Sequence, residues 1–458
     1  MFSYKVPARR FKFWVSVFSA YITRYKFWIF LFVLMLSLTI AAFKIFWPQV
    51  SRTNVLAIGY VGSYTLENIP TNAFALATDS LIVIDKSGRP QPAMASHWTT
   101  TEDGEKYIVF LKDNLRWHNE APVDAKDISI AVSDVSITAL NNKAIEFNLK
   151  SPLVSFLQTL DRPVFKTDSF YGTGQFRIVD IKKIQDVVKE IKLTPKDKNL
   201  PRVEIKFYPA ETQALEALKI GEVKVATVSS AQELASWPNL EVERNLDETE
   251  VITIFYNTDD PLFSSKEFRQ ALNFAVNREG LDGIIADSPI YPSSWAFNDA
   301  VKHYDYNTGR AMELIAKSQL TNPTVTLTVT PALENLAKRI KNDWDSVGVN
   351  TILNVQMAVP AQFQALLAVN KLPRDPDQYT LWHSTQTKTN ITKYKNVRVD
   401  KLLEDARITK EEDKRKELYL EFQKVLAEDA PAAFLYYPYK YRVVYKNIKN
   451  LLSKLPKT

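Results

Sequence analysis

The chain has 458 residues, 46% hydrophobic and 24% charged, the make-up of a globular protein rather than a disordered one. That length suits two or three ordinary domains or one large two-lobed protein, and the absence of cysteine excludes disulfides, thiolate metal sites and cysteine nucleophiles. A net charge of +6 hints at nucleic acid until its position is read. Lys5, Arg9, Arg10, Lys12, Arg24, Lys26 and Lys44 all precede the first acid, Glu67, so the remainder of the chain is close to neutral and no nucleic-acid surface is expected.

Residues 1–26 form a basic segment, within which 11–22 (FKFWVSVFSAYI) suit an interfacial helix. Phe27 to Phe43 then run without a charge, and Ile45, Phe46 and Trp47 extend the stretch to the ~20 residues that cross a bilayer, with Lys44 free to snorkel. Trp28 and Trp47 mark its ends, and the flanking charges put the N-terminus in the cytoplasm. The span 27–47 reads as an uncleaved anchor. A cleaved signal peptide, the competing reading, would need an unusually long n-region and apolar core.

Beyond a short linker, Val55–Tyr60 reads as a first strand, and strand and helix signals alternate from there. Pro90 to Asp127 holds a turn at Glu102-Asp103-Gly104, a strand at Tyr107–Leu111, a Trp117-His118 pair, and Asp124 placed to cap a helix at Ala125. Gly172-Thr173-Gly174 is too short to cradle a phosphate and reads as a turn into a strand at Phe176–Val179. Val251–Tyr256 and Ala433–Tyr437 are apolar strands. Ser264-Ser265-Lys266-Glu267 is a capping box leading into a helix with Phe268, Ala271, Leu272 and Ala275 on one face. Leu418, Phe422, Val425 and Leu426 share a face of a second helix that stops before Pro431.

Ser96, Trp98, Asp103, Gly104, Tyr107, Phe110, Leu111, Trp117, His118, Pro122, Ala125 and Asp127 together resemble the signature of the family 5 extracellular solute-binding proteins, the peptide-binding subunits of ABC importers. Further echoes follow in that family's order: Ala144–Pro152, Gly172–Phe176, Ala214–Val225, Phe255–Thr258, Phe268–Arg278, Asp375-Pro376-Asp377, and Leu418–Tyr437. The resemblance implies an α/β, two-lobed type II periplasmic-binding-protein fold behind an N-terminal transmembrane helix. Lobe one would comprise 54–250 plus 434–458 and lobe two 251–433, with crossings at Val251–Tyr256 and Ala433–Tyr437. Two departures stand out. Only Asp127 to Lys143 remains where the family carries a longer helical subdomain, and no acid precedes Asp375 to meet a ligand ammonium.

For ligand contact the resemblance points to Thr78, Asp79 and Ser80 on one lobe and to Asp375 and Trp382 on the other. Asp79 is equally readable as a solvated turn and Trp382 as core packing. Trp295 lies in a Pro-containing loop, the kind of segment that carries function. Tyr256, Asn257 and Tyr437 sit at the crossings, where hinge packing competes with ligand contact. Trp117-His118 is read as a mark of the fold rather than of the pocket.

Catalysis is not expected. No H-E-x-x-H, G-x-S-x-G or G-x-x-x-x-G-K-[ST] occurs, and His97, His118, His303 and His383 are isolated, so neither a metal nor another cofactor is indicated. The resemblance implies a monomeric extracytoplasmic receptor, held to the cell membrane by one helix. It would capture oligopeptides or similar solutes and deliver them to an ABC permease whose ATPase subunits are separate chains. The alternative, motivated by the two departures, is a tethered sensor or scaffold that keeps the fold without transport.

Overall fold

The structure, a computed structural model, describes residues 7–51 and 55–456. The first compact unit is one continuous helix, Pro7–Ser51, of 45 residues. At 1.5 Å per residue it is about 67 Å long, roughly twice the ~30 Å bilayer core. It contains an 18-residue stretch, Thr23–Ile40, long and apolar enough to cross a membrane. The interfacial segment expected at 11–22 is part of this same helix rather than a separate one.

The second unit, residues 56–458, is built on a mixed 12-stranded sheet. Its strands lie in the order Asn350–Val355, Thr324–Val329, Ala365–Lys371, Glu250–Tyr256, Ala432–Tyr445, Val225–Val228, Val55–Val61, Arg202–Tyr208, Val187–Pro195 and Phe176–Ile184. Leu240–Leu246 and Gly283–Ile285 pair additionally with Ala432–Tyr445. A separate four-stranded antiparallel sheet (Ala95–Thr100, Lys106–Leu111, Ala144–Leu149, Val135–Asn141) and a small hairpin, Ile82–Ile84 with Pro90–Pro92, form an N-proximal layer.

The C-terminal strand is longer than the Ala433–Tyr437 segment the sequence suggests. Ala432 to Tyr436 pair with Glu250–Tyr256, while Tyr439 to Tyr445 pair with Leu240–Leu246. Pro438, which has no N–H to donate, falls where the partners change. Opposite it, Asp247 turns the other strand by accepting from the backbone N–H of Thr249 at 3.0 Å and its hydroxyl at 2.6 Å. Strand Glu250–Tyr256 is buried on both faces. Ile252, Ile254 and Tyr256 join one core, and Val251 and Phe255 join another.

Motifs distant in sequence prove to be partners. The Trp117-His118 pair meets the Gly172-Thr173-Gly174 turn: the Gly172 N–H donates to His118 Nδ1 at 3.0 Å, and His118 Nε2 lies 3.0 Å from the Gly174 carbonyl. This arrangement requires the neutral Nε2–H tautomer. A Cβ on Gly174 would lie 2.5 Å from the Leu76 carbonyl oxygen, so glycine is needed for the approach. Likewise, the buried Arg269 donates to the carbonyls of Phe263 (2.6 Å), Asp429 (2.6 Å) and Ala430 (3.2 Å). Its charge therefore sits at the C-terminal, negative end of helix Glu412–Asp429, where Ala430 takes a left-handed turn at φ 49°.

Two local expectations shift. The helix expected at Ala125 is a single 3-10 turn, Ala125–Asp127, with Asp124 capping the Lys126 N–H. The capping residue of helix Lys266–Ala275 is Ser265, which accepts from the Phe268 N–H at 3.2 Å. Ser264 instead ends a short preceding helix begun at Pro261.

Replacing Arg269 with Met leaves several buried carbonyls unpaired and should lower unfolding stability by about 3 kcal/mol, measured by urea titration of the chain in detergent. Burial holds the His118 imidazole below its usual 6.5. Its contribution to stability is therefore complete above pH 6.5 and is lost as pH falls through the lower folded value. Thermal melts from pH 7.5 to 5 should show a decline that is shallower in H118Q.

Candidate functional site

The nine residues singled out from sequence fall into three groups. Thr78, Asp79 and Ser80 lie on the N-proximal side, seated on the glycine turn. Thr78 donates its hydroxyl to the Val164 carbonyl. The Thr173 hydroxyl donates to Asp79 Oδ2 at 2.8 Å, and the Asp79 N–H reaches back to Thr173 Oγ1 at 3.2 Å. Thr78 is buried, Ser80 half-buried, and Asp79 exposed.

Tyr256 and Asn257 form the second group, at the end of the central strand. The Tyr256 ring stacks on Phe263 and its hydroxyl donates to Asn273 Oδ1 at 2.7 Å in a fully buried setting. Asn257 Nδ2 donates to the Phe363 carbonyl at 3.1 Å.

Trp295, Asp375, Trp382 and Tyr437 are gathered around one apolar core. Tyr437 donates to the carbonyls of Ser288 and Ile290, both at 3.0 Å. Trp382 donates to Gln378 Oε1 at 3.3 Å and meets Phe434 edge-on. Asp375 receives the Arg415 guanidinium through both oxygens, at 2.7 and 3.2 Å, and both side chains are buried. Burial pushes the Asp375 carboxyl up and the adjacent guanidinium pulls it back. The Arg415 charge lies 5.4 Å from the Trp295 ring centre. In this conformation these four side chains have their polar atoms or rings engaged within the protein.

The first and third groups approach one another through residues that spacing did not reveal. Asp161 accepts from the Ile84 N–H at 3.0 Å. Burial pushes its carboxyl up, while the Ile84 N–H, Arg374 from the other half of the molecule, and Ser80 draw it down. Arg374 itself is exposed, and its carbonyl accepts the Tyr291 hydroxyl at 2.6 Å. Nearby, the buried Asp377 accepts from Ser155 of the N-proximal layer at 2.7 Å and from Arg407 at 3.0 Å. The N-proximal layer and the segment around Asp375 thus meet at a junction carrying carboxylates, a guanidinium and hydroxyls. Such groups suit hydrogen bonding to a polar solute. The segment Asn370–Arg374 before Asp375 carries no acid: Leu372 is buried in the core, Lys371 and Arg374 are exposed, and among the described residues the buried Asn370 Nδ2 has no hydrogen-bond partner.

Among the described residues, no group of three His, Asp or Glu side chains is assembled for a metal. An open depression of about 640 Å³, lined by Ser96, His97, Phe110, Lys112 and Lys143 among others, lies on the four-stranded sheet, and none of the nine residues borders it. Signals for Asp161, Arg374 and Arg415 were absent from the sequence because each is one charge among many until folding supplies its partner.

Asp375→Asn strips a buried guanidinium of its counter-charge and should destabilise the chain by about 3–5 kcal/mol in urea unfolding. The double variant D375N/R415M should recover part of that loss.

The model for bacterial extracellular solute-binding proteins, family 5, matches residues 89–391, more than half of the chain. The oligopeptide-binding protein AppA of Bacillus subtilis is 25% identical over 334 residues, covering 63% of this chain and 61% of AppA. The chain thus spans less than two thirds of that relative. The dipeptide-binding protein DppE of the same organism is 21% identical, covering 82% of this chain and 83% of DppE. Among solved structures, NikZ from Campylobacter jejuni, in complex with Ni(L-His), superposes with a TM-score of 0.72 at 22% identity, over 86% of this chain and 94% of NikZ. That likeness establishes the two-lobed periplasmic-binding fold, and the family match establishes descent: the chain belongs to the family 5 bacterial extracellular solute-binding proteins.

Proposed function

We propose that this protein is a membrane-tethered receptor of an ABC import system, taking up an oligopeptide or a solute of similar size between two lobes. The observation that carries the reading is the junction where the N-proximal layer meets the Asp375 segment, Ser155 on Asp377 and Gly88 against Arg374, on a sheet whose two halves are joined at Asp247–Thr249 and Pro438. On this reading lobe one is 54–250 plus 434–458, lobe two is 251–433, and closure turns about those two crossings. Thr78, Asp79 and Ser80 would meet ligand from one side. Trp295, Asp375, Trp382, Tyr256, Asn257 and Tyr437 would shape the other side mainly by holding its walls in place. AppA and DppE, named for oligopeptide and dipeptide binding, support a peptide as cargo.

The apolar stretch Thr23–Ile40 supports anchoring, with the basic residues before it in the cytoplasm and the binding lobes outside. Anchoring raises the receptor's local concentration at its permease. The lack of an acid in Asn370–Arg374 favours cargo held by its backbone and side chains rather than by a free amino terminus. The same feature favours the second reading, a sensor or scaffold with no transported cargo.

Native mass spectrometry of the chain released from mild detergent decides between them. A co-purified adduct whose fragments read as amino acids is the expected result. A bare chain mass, with no thermal shift across a peptide pool, would replace the receptor with the sensor.

A further inference from the structure

Among the described residues, three hydrogen-bonded contacts join the N-proximal layer to the second half of the molecule besides the two crossing strands. The first is the tip of hairpin Asp85–Arg89. The Ser87 carbonyl accepts from the Trp295 N–H at 3.0 Å, and the Lys86 carbonyl accepts from the Ser293 hydroxyl at 3.1 Å. Arg89 grips Glu412 through two hydrogen bonds of 2.7 and 3.1 Å. Gly88, at φ 91°, passes so near residue 374 that a Cβ would lie 2.5 Å from the Arg374 carbonyl oxygen. The second is the turn Thr101–Gly104, where Lys410 donates to the carbonyls of Thr101 at 2.7 Å and Glu102 at 2.6 Å. The third is the buried Ser155–Asp377 hydrogen bond, shared with Arg407.

The hairpin is shaped before it docks. Asp85 accepts from the N–H and hydroxyl of Ser87, from the Arg89 N–H and from Gln91. Burial opposes its ionisation, but those donors hold its carboxyl down to about 2, so it stays charged at any physiological pH. A tip organised by its own carboxylate loses little freedom on docking. The docked face is specific, because only glycine fits at its closest point.

The geometry points to a latch: hairpin Asp85–Arg89, with Lys410 and the Ser155–Asp377 contact, holds the two halves closed without ligand. This rests on the two-lobed receptor reading given above. Opening about the crossing strands would pull Arg89 from Glu412, Lys410 from the 101–102 carbonyls, and Ser155 from Asp377. The closed state therefore draws part of its stability from the chain itself, and ligand supplies the rest.

Because the chain has no cysteine, the pair Lys183→Cys and Lys338→Cys gives two unique spin-label sites, one exposed position in each half. Distances would be measured by pulsed electron resonance on the full chain in detergent, after stripping small molecules until its native mass is bare. The latched protein should show one short distance. The R89A/K410A pair, which changes only exposed side chains, should raise the longer-distance population at least fivefold, and Gly88→Val should do the same by blocking the tip. Should Gly88→Val fail to fold, the exposed pair alone carries the test.

An unchanged distribution in R89A/K410A, or a parent chain already divided between open and closed, would overturn the latch. Failure of the receptor reading is separable. Variants that open although no peptide adduct is ever recovered leave the latch standing and remove the cargo. A peptide adduct with variants that stay shut does the reverse.

Discussion

Strand Ala432–Tyr445 pairs with Glu250–Tyr256 up to Tyr436 and with Leu240–Leu246 from Tyr439 onward, with the short strand Gly283–Ile285 alongside Tyr436–Pro438 between them. The rest of the globular unit depends on that division. A central strand must satisfy its polar groups on both edges, so neither half can exist without its share of this one segment. Proline is poorly tolerated inside a sheet because it withdraws a donor, and Pro438 stands where the long partners change, opposite Gly283 of the short strand Gly283–Ile285. Its carbonyl is used, accepting from the Asp247 N–H at 2.9 Å. Gly283 lets a further short strand come close alongside, since a Cβ there would lie 2.2 Å from the Tyr437 carbonyl oxygen. On the proposed two-lobed reading, these narrow but well-bonded connections favour rotation of one half against the other over separation.

Much of this architecture was readable because its elements are locally consistent. Strand Lys106–Leu111 is, after its lysine, a run of β-branched, aromatic and aliphatic residues that alternates in burial, and helix Glu412–Asp429 places Phe422 and Leu426 inward as its periodicity requires. Reading failed where a rule was locally broken. Pro438 interrupts the apolar run, so the sequence places the strand end at Tyr437, although Tyr439, Tyr441, Val443 and Val444 are good strand formers. The helix expected at Ala125 is cut to one turn because the chain leaves it in extended conformation at Ile128.

The motifs that identify the family were legible as words but not as contacts. His118 and Gly172, or Arg269 and Asp429, are too far apart in sequence for spacing to join them. Their chemistry explains why these residue types recur. An imidazole with one donor and one acceptor bridges two backbone groups of a tight turn, and a guanidinium at a helix C-terminus serves several carbonyls at once. The candidate ligand residues were harder to judge for the same reason. A tryptophan or tyrosine near a crossing reads alike whether it faces a cleft or a core, and Trp382 and Tyr437 have the polar atom of each ring satisfied inside the protein.

If closure is partly encoded in the chain, two consequences pull against each other. A larger closed fraction of empty receptor means less conformational work on binding, so the apparent affinity approaches the intrinsic one. Yet a permease that recognised closure alone would then accept empty receptors as readily as loaded ones. The conflict is resolved only if cargo alters something that the Arg89, Lys410 and Ser155 contacts do not already fix. The junction of Ser80, Asp161 and Arg374 is the place to look. Asp161 carries an ionisable carboxylate against partial burial, and the charge facing it comes from the other half. A solute entering there would change the electrostatic partnership between the halves without moving the hairpin. In such a receptor the hairpin governs how often the halves meet, and the junction governs what their meeting reports.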